Sequence, residues 1–313
     1  MRHKHILILI GEKNWLSQSM ANTQLVDVCP VYRKVQGLSK MIYKLQYHLG
    51  ENNKSRWYNS EWTEHVVNYD TIILFDAFED SSVVKYINDK APKARLIIYY
   101  YNLIKRIELL HQIQQLNCEI WSFDKNDARK YGLKYNPQFY FKQLNFSNDT
   151  LRNFDYASDV FFVGKDKGRL QSLMNIDKKL RQEGIDTRFI VVGDRKQKYT
   201  KKQKDYLSEH ISYAECIEYV KHTKCVFDMV QTGQKGMTWR IVEAMFFNKK
   251  LITNNDEVLS MDFYDSSNIY LIGKDHRPMS QFILDGQSHW QKRFVCEYSF
   301  ENWLNNFMSE RNH

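Results

Sequence analysis

Residues 236–253 read GMTWRIVEAMFFNKKLIT and describe one helix running into one strand. Between Thr238 and Phe247 nearly every position is apolar, as a helix buried all round requires. Arg240 and Glu243 are the exceptions, and a spacing of three puts them on one face. Unpaired buried charge is expensive, so that face is expected to line a cleft, with Arg240 turned to an anion and Glu243 to hydroxyl groups. A functionally silent ion pair at the domain surface is the alternative. The preceding QTGQKGM supplies two glycines, which let backbone approach a ligand closely, and Thr238 stands where a capping or first-turn hydroxyl would.

A second cluster lies in DVFFVGKDKGRL (159–170). Gly164 ends an apolar strand, Gly168 opens the next helix, and Lys165, Lys167 and Arg169 crowd the connection. Ligands of open α/β sheets bind beyond the carboxyl ends of the strands, and a helix N-terminus offers free N–H groups and partial positive charge. The turn therefore reads as a phosphate seat, or else as a flexible basic connection.

The elements that must position these residues follow an α/β pattern of short apolar runs alternating with helical spacing. In the first half, strands are expected at 5–11, 69–77, 94–102 and 118–124, with helices at 38–50, 81–91 and 105–116. Runs apolar on both faces belong in a covered parallel sheet. The pattern breaks in the polar, aromatic stretch LKYNPQFYFKQLNFSNDTLRNFDYAS (133–158), with its turn-rich SNDT at 147–150, and a domain boundary is placed near 150. A second series then gives strands at 159–164, 187–194, 225–230, 249–253 and 268–273, with helices at 168–184 and 212–223 and the helix that carries Arg240. Phe300, Trp303, Leu304 and Phe307 mark a one-faced C-terminal helix that must dock.

The composition suits that reading. A chain of 313 residues with 43% hydrophobic content can bury the cores of two domains, and 12 glycines and 4 prolines rule out collagenous or linker-rich architecture. Five cysteines without a C-x-x-C pair look like reduced core thiols. The N-terminal ILILI is too short for a signal segment, and no apolar window approaches the roughly 20 residues that span a bilayer. A cytoplasmic protein is expected. The net charge of +8 points to anionic partners.

The run from DVFFVGKDKGRL through TRFIVVGD and SYAECIEYVKHTKCVFDMV to GMTWRIVEAMFFNKKLIT resembles the donor-binding domain of GT-B glycosyltransferases, and is most similar to bacterial cell-surface polysaccharide enzymes and the CgeB-like group. The resemblance implies two Rossmann-like domains facing a cleft: an acceptor domain at 1–150, a nucleotide-sugar donor domain at 151–290, and a C-terminal segment at 291–313 whose helix packs back on the first domain. It assigns the nucleotide ribose to Glu243 and the diphosphate to Lys165, Lys167, Arg169 and Arg240; Gly164 and Thr238, from their places in the turn and at the helix start, join them as expected donor-binding residues. Many retaining members carry a second glutamate where this chain has Lys235, which favours inversion. No D-x-D motif occurs in the chain, so no metal is expected, and charge neutralisation falls to lysines, arginines and helix N-termini.

An inverting transfer needs a general base beside the acceptor hydroxyl. Asp76, at the end of TIILFDA, and Glu12, in GEKNW after the first strand, both stand at strand ends. Asp76 follows the more apolar strand. Each could instead be a solvated loop carboxylate or a helix cap. The expected activity is transfer of a sugar from a nucleotide diphosphate, by default UDP, to a glycan or lipid-linked acceptor, without a further cofactor. Peripheral contact with the inner face of the membrane is expected, with no nucleic acid. A sugar-nucleotide epimerase on the same fold and a basic nucleic-acid-binding protein are the competing readings.

Overall fold

The computed structural model describes residues 5–34, 55–76, 78–142, 144, 157–231 and 236–309. The chain divides into two compact units, Met1–Pro137 and Gln138–His313. The expected helix at 38–50 and the expected boundary near 150 lie outside the described residues.

In the first unit, six strands form a parallel sheet in the order β2-β1-β3-β4-β5-β6. They are β1 (Ile6–Ile10), β2 (Asp27–Pro30), β3 (Thr71–Phe75), β4 (Arg95–Tyr100), β5 (Glu119–Ser122) and β6 (Lys134–Tyr135). Every residue of β3 is buried, as expected for a central strand covered on both faces. Leu7, Leu9, Ile72, Leu74 and Ile98 meet Val83, Val84 and Ile87 of the helix Ser82–Lys90 and Leu110 and Ile113 of the helix Ile107–Gln114 in one core. Because β1 lies between β2 and β3, the chain reverses its direction of travel across the sheet there. The carboxyl ends of β1 and β3 therefore flank a topological switch point, where open α/β sheets bind ligands. Glu12 follows β1 and Asp76 follows β3.

The second unit repeats this order with five parallel strands, β11-β10-β9-β7-β8. These are β7 (Ser158–Lys165), β8 (Thr187–Val192), β9 (Thr223–Asp228), β10 (Lys250–Thr253) and β11 (Ile269–Leu271). Its switch point lies between the carboxyl ends of β7 and β9. Helices Leu170–Gln182, Tyr213–Lys221 and Trp239–Phe246 connect the strands. Both units are thus Rossmann-like α/β layers.

The aromatic stretch that ended the periodic pattern has its own place in this unit. Phe139, Tyr140 and Phe141 are buried. Tyr140 donates its backbone N–H to the Tyr298 carbonyl at 2.7 Å and accepts from the Phe300 N–H at 2.8 Å. The C-terminal helix Phe300–Ser309 docks Trp303 on Phe139 with ring centroids 4.5 Å apart. The expected domain limits would put residues 138–142 in the first half, whereas they pack with the second.

Candidate functional site

Asp76 lies one residue past β3, and its backbone N–H donates to the Tyr99 carbonyl at 3.1 Å. That bond continues the β3–β4 ladder and fixes the side chain at the sheet's carboxyl edge. There it borders a pocket of about 270 Å³ that Phe78, Tyr100, Asn102, Lys105, Arg106 and Leu109 also line. Among the described residues its buried Oδ1 makes no hydrogen bond, and Oδ2 accepts from the Asn102 amide at 3.5 Å. Burial pushes the carboxyl up to about 7; the Asn102 amide and the nearby peptide groups of Tyr101 and Asn102 only partly oppose it. A carboxyl tuned near neutrality, with a free oxygen beside a pocket, has the attributes of a general base.

The rest of the pocket complements it. Burial, and then the Asp76 charge, raise the Tyr100 hydroxyl to about 12. Arg106 donates from Nη1 to the Glu79 carbonyl at 2.9 Å and from Nη2 to the Phe78 carbonyl, which ties down the chain just after Asp76. Glu12, the other expected base, is exposed on the bend after β1 and makes no ion pair or hydrogen bond among the described residues. The sequence placed both carboxylates at strand ends, but the structure encloses only Asp76.

In the second unit, the two clusters singled out in the sequence converge on Asp228, the last residue of β9. Thr238 and Thr253 donate hydroxyls to its Oδ2 at 2.9 and 3.3 Å. Burial lifts its carboxyl above the usual range, against the pull of the two hydroxyls and of Arg240 and Arg169. Arg169 reaches across the switch point and donates to the Met229 carbonyl beyond β9 and, at 2.5 Å, to the Lys165 carbonyl that ends β7. Gly164 leaves room for this, since a Cβ there would come within 3.2 Å of the guanidinium.

Two expectations need correction. Glu243 faces no cleft among the described residues: it has no exposed surface and lies against the helix Tyr213–Lys221, while the Arg240 side chain keeps 18% of its surface exposed. Its Oε1 accepts the Tyr213 hydroxyl at 2.7 Å, Tyr213 lies 2.6 Å from the Tyr140 hydroxyl, and Oε2 lies 2.5 Å from Arg240 Nη1. Arg240 also approaches Cys216 Sγ at 3.2 Å. The charges are therefore paired internally. Burial raises the Glu243 carboxyl, and the Arg240 guanidinium and the Tyr213 hydroxyl counter it. Tyr140, supplied by the aperiodic stretch, is the partner that helical spacing could not reveal.

The second correction concerns the phosphate seat. The N-terminus of the helix Leu170–Gln182 is closed by the chain's own carboxylate: Asp166, 3% exposed, accepts the Leu170 N–H at 2.7 Å and the Tyr199 hydroxyl at 2.8 Å. Asp194 accepts the Lys167 N–H at 2.7 Å. Lys167 and Gly168 both take positive φ, at 46° and 81°, which glycine tolerates and lysine resists. The cationic charge left at the surface is on the side chains of Lys165 and Lys167, both exposed. The residue just before the helix is Arg169, which makes no side-chain cap bond, so the usual capping signal is missing and Asp166 closes the helix from further upstream.

Among the described residues, no group of three or more His, Cys, Asp or Glu side chains is assembled to hold a metal, and no helix is long and apolar enough to cross a membrane.

No protein-family model and no curated protein matches the chain. Solved structures similar to it include a pilus assembly-related protein from Burkholderia pseudomallei, at 7% identity over 42% of this chain and 88% of that one, with a TM-score of 0.23. Another is apo D-lactate dehydrogenase from Escherichia coli, at 9% identity over 97% of each chain, with a TM-score of 0.25. Likenesses this weak carry no argument about chemistry, which rests on the site geometry.

Proposed function

We propose that the protein is a GT-B glycosyltransferase that moves a sugar from a nucleotide diphosphate, by default UDP, to a hydroxyl of a glycan or lipid-linked acceptor in surface polysaccharide synthesis. The observation that carries this reading is Asp76, a pocket-lining carboxyl near neutrality with one buried oxygen unpartnered. Asp76 accepts the acceptor hydroxyl's proton as that oxygen attacks the anomeric carbon. The bond from that carbon to the diphosphate oxygen breaks, the nucleoside diphosphate departs, and the configuration inverts.

The second unit supplies the donor site beyond β7 and β9, where Lys165 and Lys167 offer exposed positive charge to a diphosphate. Glu243 is enclosed, so its role toward the ribose requires the nucleotide to displace the Tyr213 hydroxyl from Oε1. Peripheral association with an anionic membrane surface follows from the net charge of +8.

The test is a transfer assay with a panel of nucleotide sugars and glycan acceptors, without metal. Release of nucleoside diphosphate that depends on an acceptor and is lost in Asp76→Asn supports the reading. Conversion of the nucleotide sugar without any acceptor would replace it with the epimerase alternative.

A further inference from the structure

The Asp76 pocket has a second chemical character at its mouth. Lys105 is exposed there and forms no ion pair among the described residues, and Arg106 stands beside it. Tyr100, 7% exposed, also lines the pocket, and among the described residues neither its hydroxyl nor Asp76 Oδ1 makes a hydrogen bond. The lining thus combines a carboxylate oxygen and a phenol that make no hydrogen bond among the described residues, suited to a hydroxyl, with the cationic side chains of Lys105 and Arg106.

We propose that this pocket is a subsite for a single sugar ring that carries an anionic substituent, a phosphate or a carboxylate, together with the hydroxyl held by Asp76 and Tyr100. The proposal rests on the glycosyl-transfer reading, within which the ring is the acceptor's reactive residue. Size agrees with one ring: about 270 Å³ falls just below the roughly 300–1,000 Å³ of sites that enclose drug-sized ligands. A longer glycan would project past Lys105. Lys105 supplies the charge attraction, whereas Arg106, already donating to the Phe78 and Glu79 carbonyls, holds the pocket wall.

The experiment titrates the full chain with glucose, glucose 6-phosphate, glucuronate and inorganic phosphate by calorimetry, with UDP titrated separately. Glucose 6-phosphate and glucuronate should each bind at least tenfold more tightly than glucose and than inorganic phosphate. Lys105→Ala should reduce both to the level of glucose, and Tyr100→Phe should weaken all three sugars. Both variants should keep the wild-type affinity for UDP and the wild-type melting transition. Equal binding of glucose and its anionic counterparts, a preference that survives Lys105→Ala, or phosphate binding as tightly as the sugar phosphate would each overturn the proposal. The UDP arm reports on the parent reading independently, because it interrogates the second unit.

Discussion

The geometry that suits Asp76 to the proposed chemistry costs the fold stability. Moving a carboxyl from its usual 3.8 to about 7 corresponds to roughly 4 kcal/mol of differential interaction. The folded state holds this proton more tightly than the unfolded chain, so stability falls as pH rises from about 4 to about 7 and then levels off. Asp76→Asn should therefore gain up to ~4 kcal/mol of unfolding free energy at pH 8 and almost nothing below pH 4, as urea titrations at the two pH values would read. The same substitution should abolish transfer. In the wild-type protein, the proposed transfer should quicken as pH rises through about 7, because a base works only when deprotonated.

Glu243 is a second carboxyl raised by burial, but one that faces a cationic partner, Arg240. Removing one member of a buried pair leaves the other uncompensated and costs about 3–5 kcal/mol. Arg240→Met should destabilise the protein by about that much, and Arg240→Met combined with Glu243→Leu should restore most of it in denaturant unfolding. The i, i+3 spacing was legible in the sequence, but the burial was not. Tyr213 lies 30 positions from Glu243 and Tyr140 lies 73 positions from Tyr213, and no local pattern links them.

At the scale of elements, the central strands announced themselves. ILILI and TIILF are apolar on both faces because both faces are covered. The edges did not: β2 reads DVCP, none of it fully buried, and β6 is two exposed residues, so neither carries an apolar run. The turn after β7 was read by its lysines, and its aspartates were passed over. Asp166 joins that turn to the helix Leu170–Gln182 and to Tyr199, so its loss removes a helix cap and a hydroxyl's partner together. Asp166→Ala should cost about 1–2 kcal/mol, seen as a lower melting temperature, comparable to losing a strong N-cap.

Considered as a whole, the chain uses one topology twice, a parallel sheet whose order reverses next to its first strand in each unit. Alternating period and composition were enough to anticipate two α/β units, because parallel sheets impose that alternation on any sequence. They were not enough to place the division at Pro137, since the segment that crosses it is held by aromatic contacts to the C-terminal helix that have no period. Each switch point carries its own ionisable cluster, Asp76 in one unit and Asp228 with two arginines in the other.

The most direct test of that account is a metal-free calorimetric titration of the whole chain with UDP, GDP, CMP and dTDP, repeated for Asp76→Asn and for Lys165→Ala combined with Lys167→Ala. One nucleotide should bind, its affinity should fall at least tenfold in the double-lysine variant with the melting temperature unchanged, and Asp76→Asn should bind it like the wild type. Absence of binding by every nucleotide, or binding indifferent to the two lysines, would contradict the assignment of a nucleotide-sugar site to the second unit.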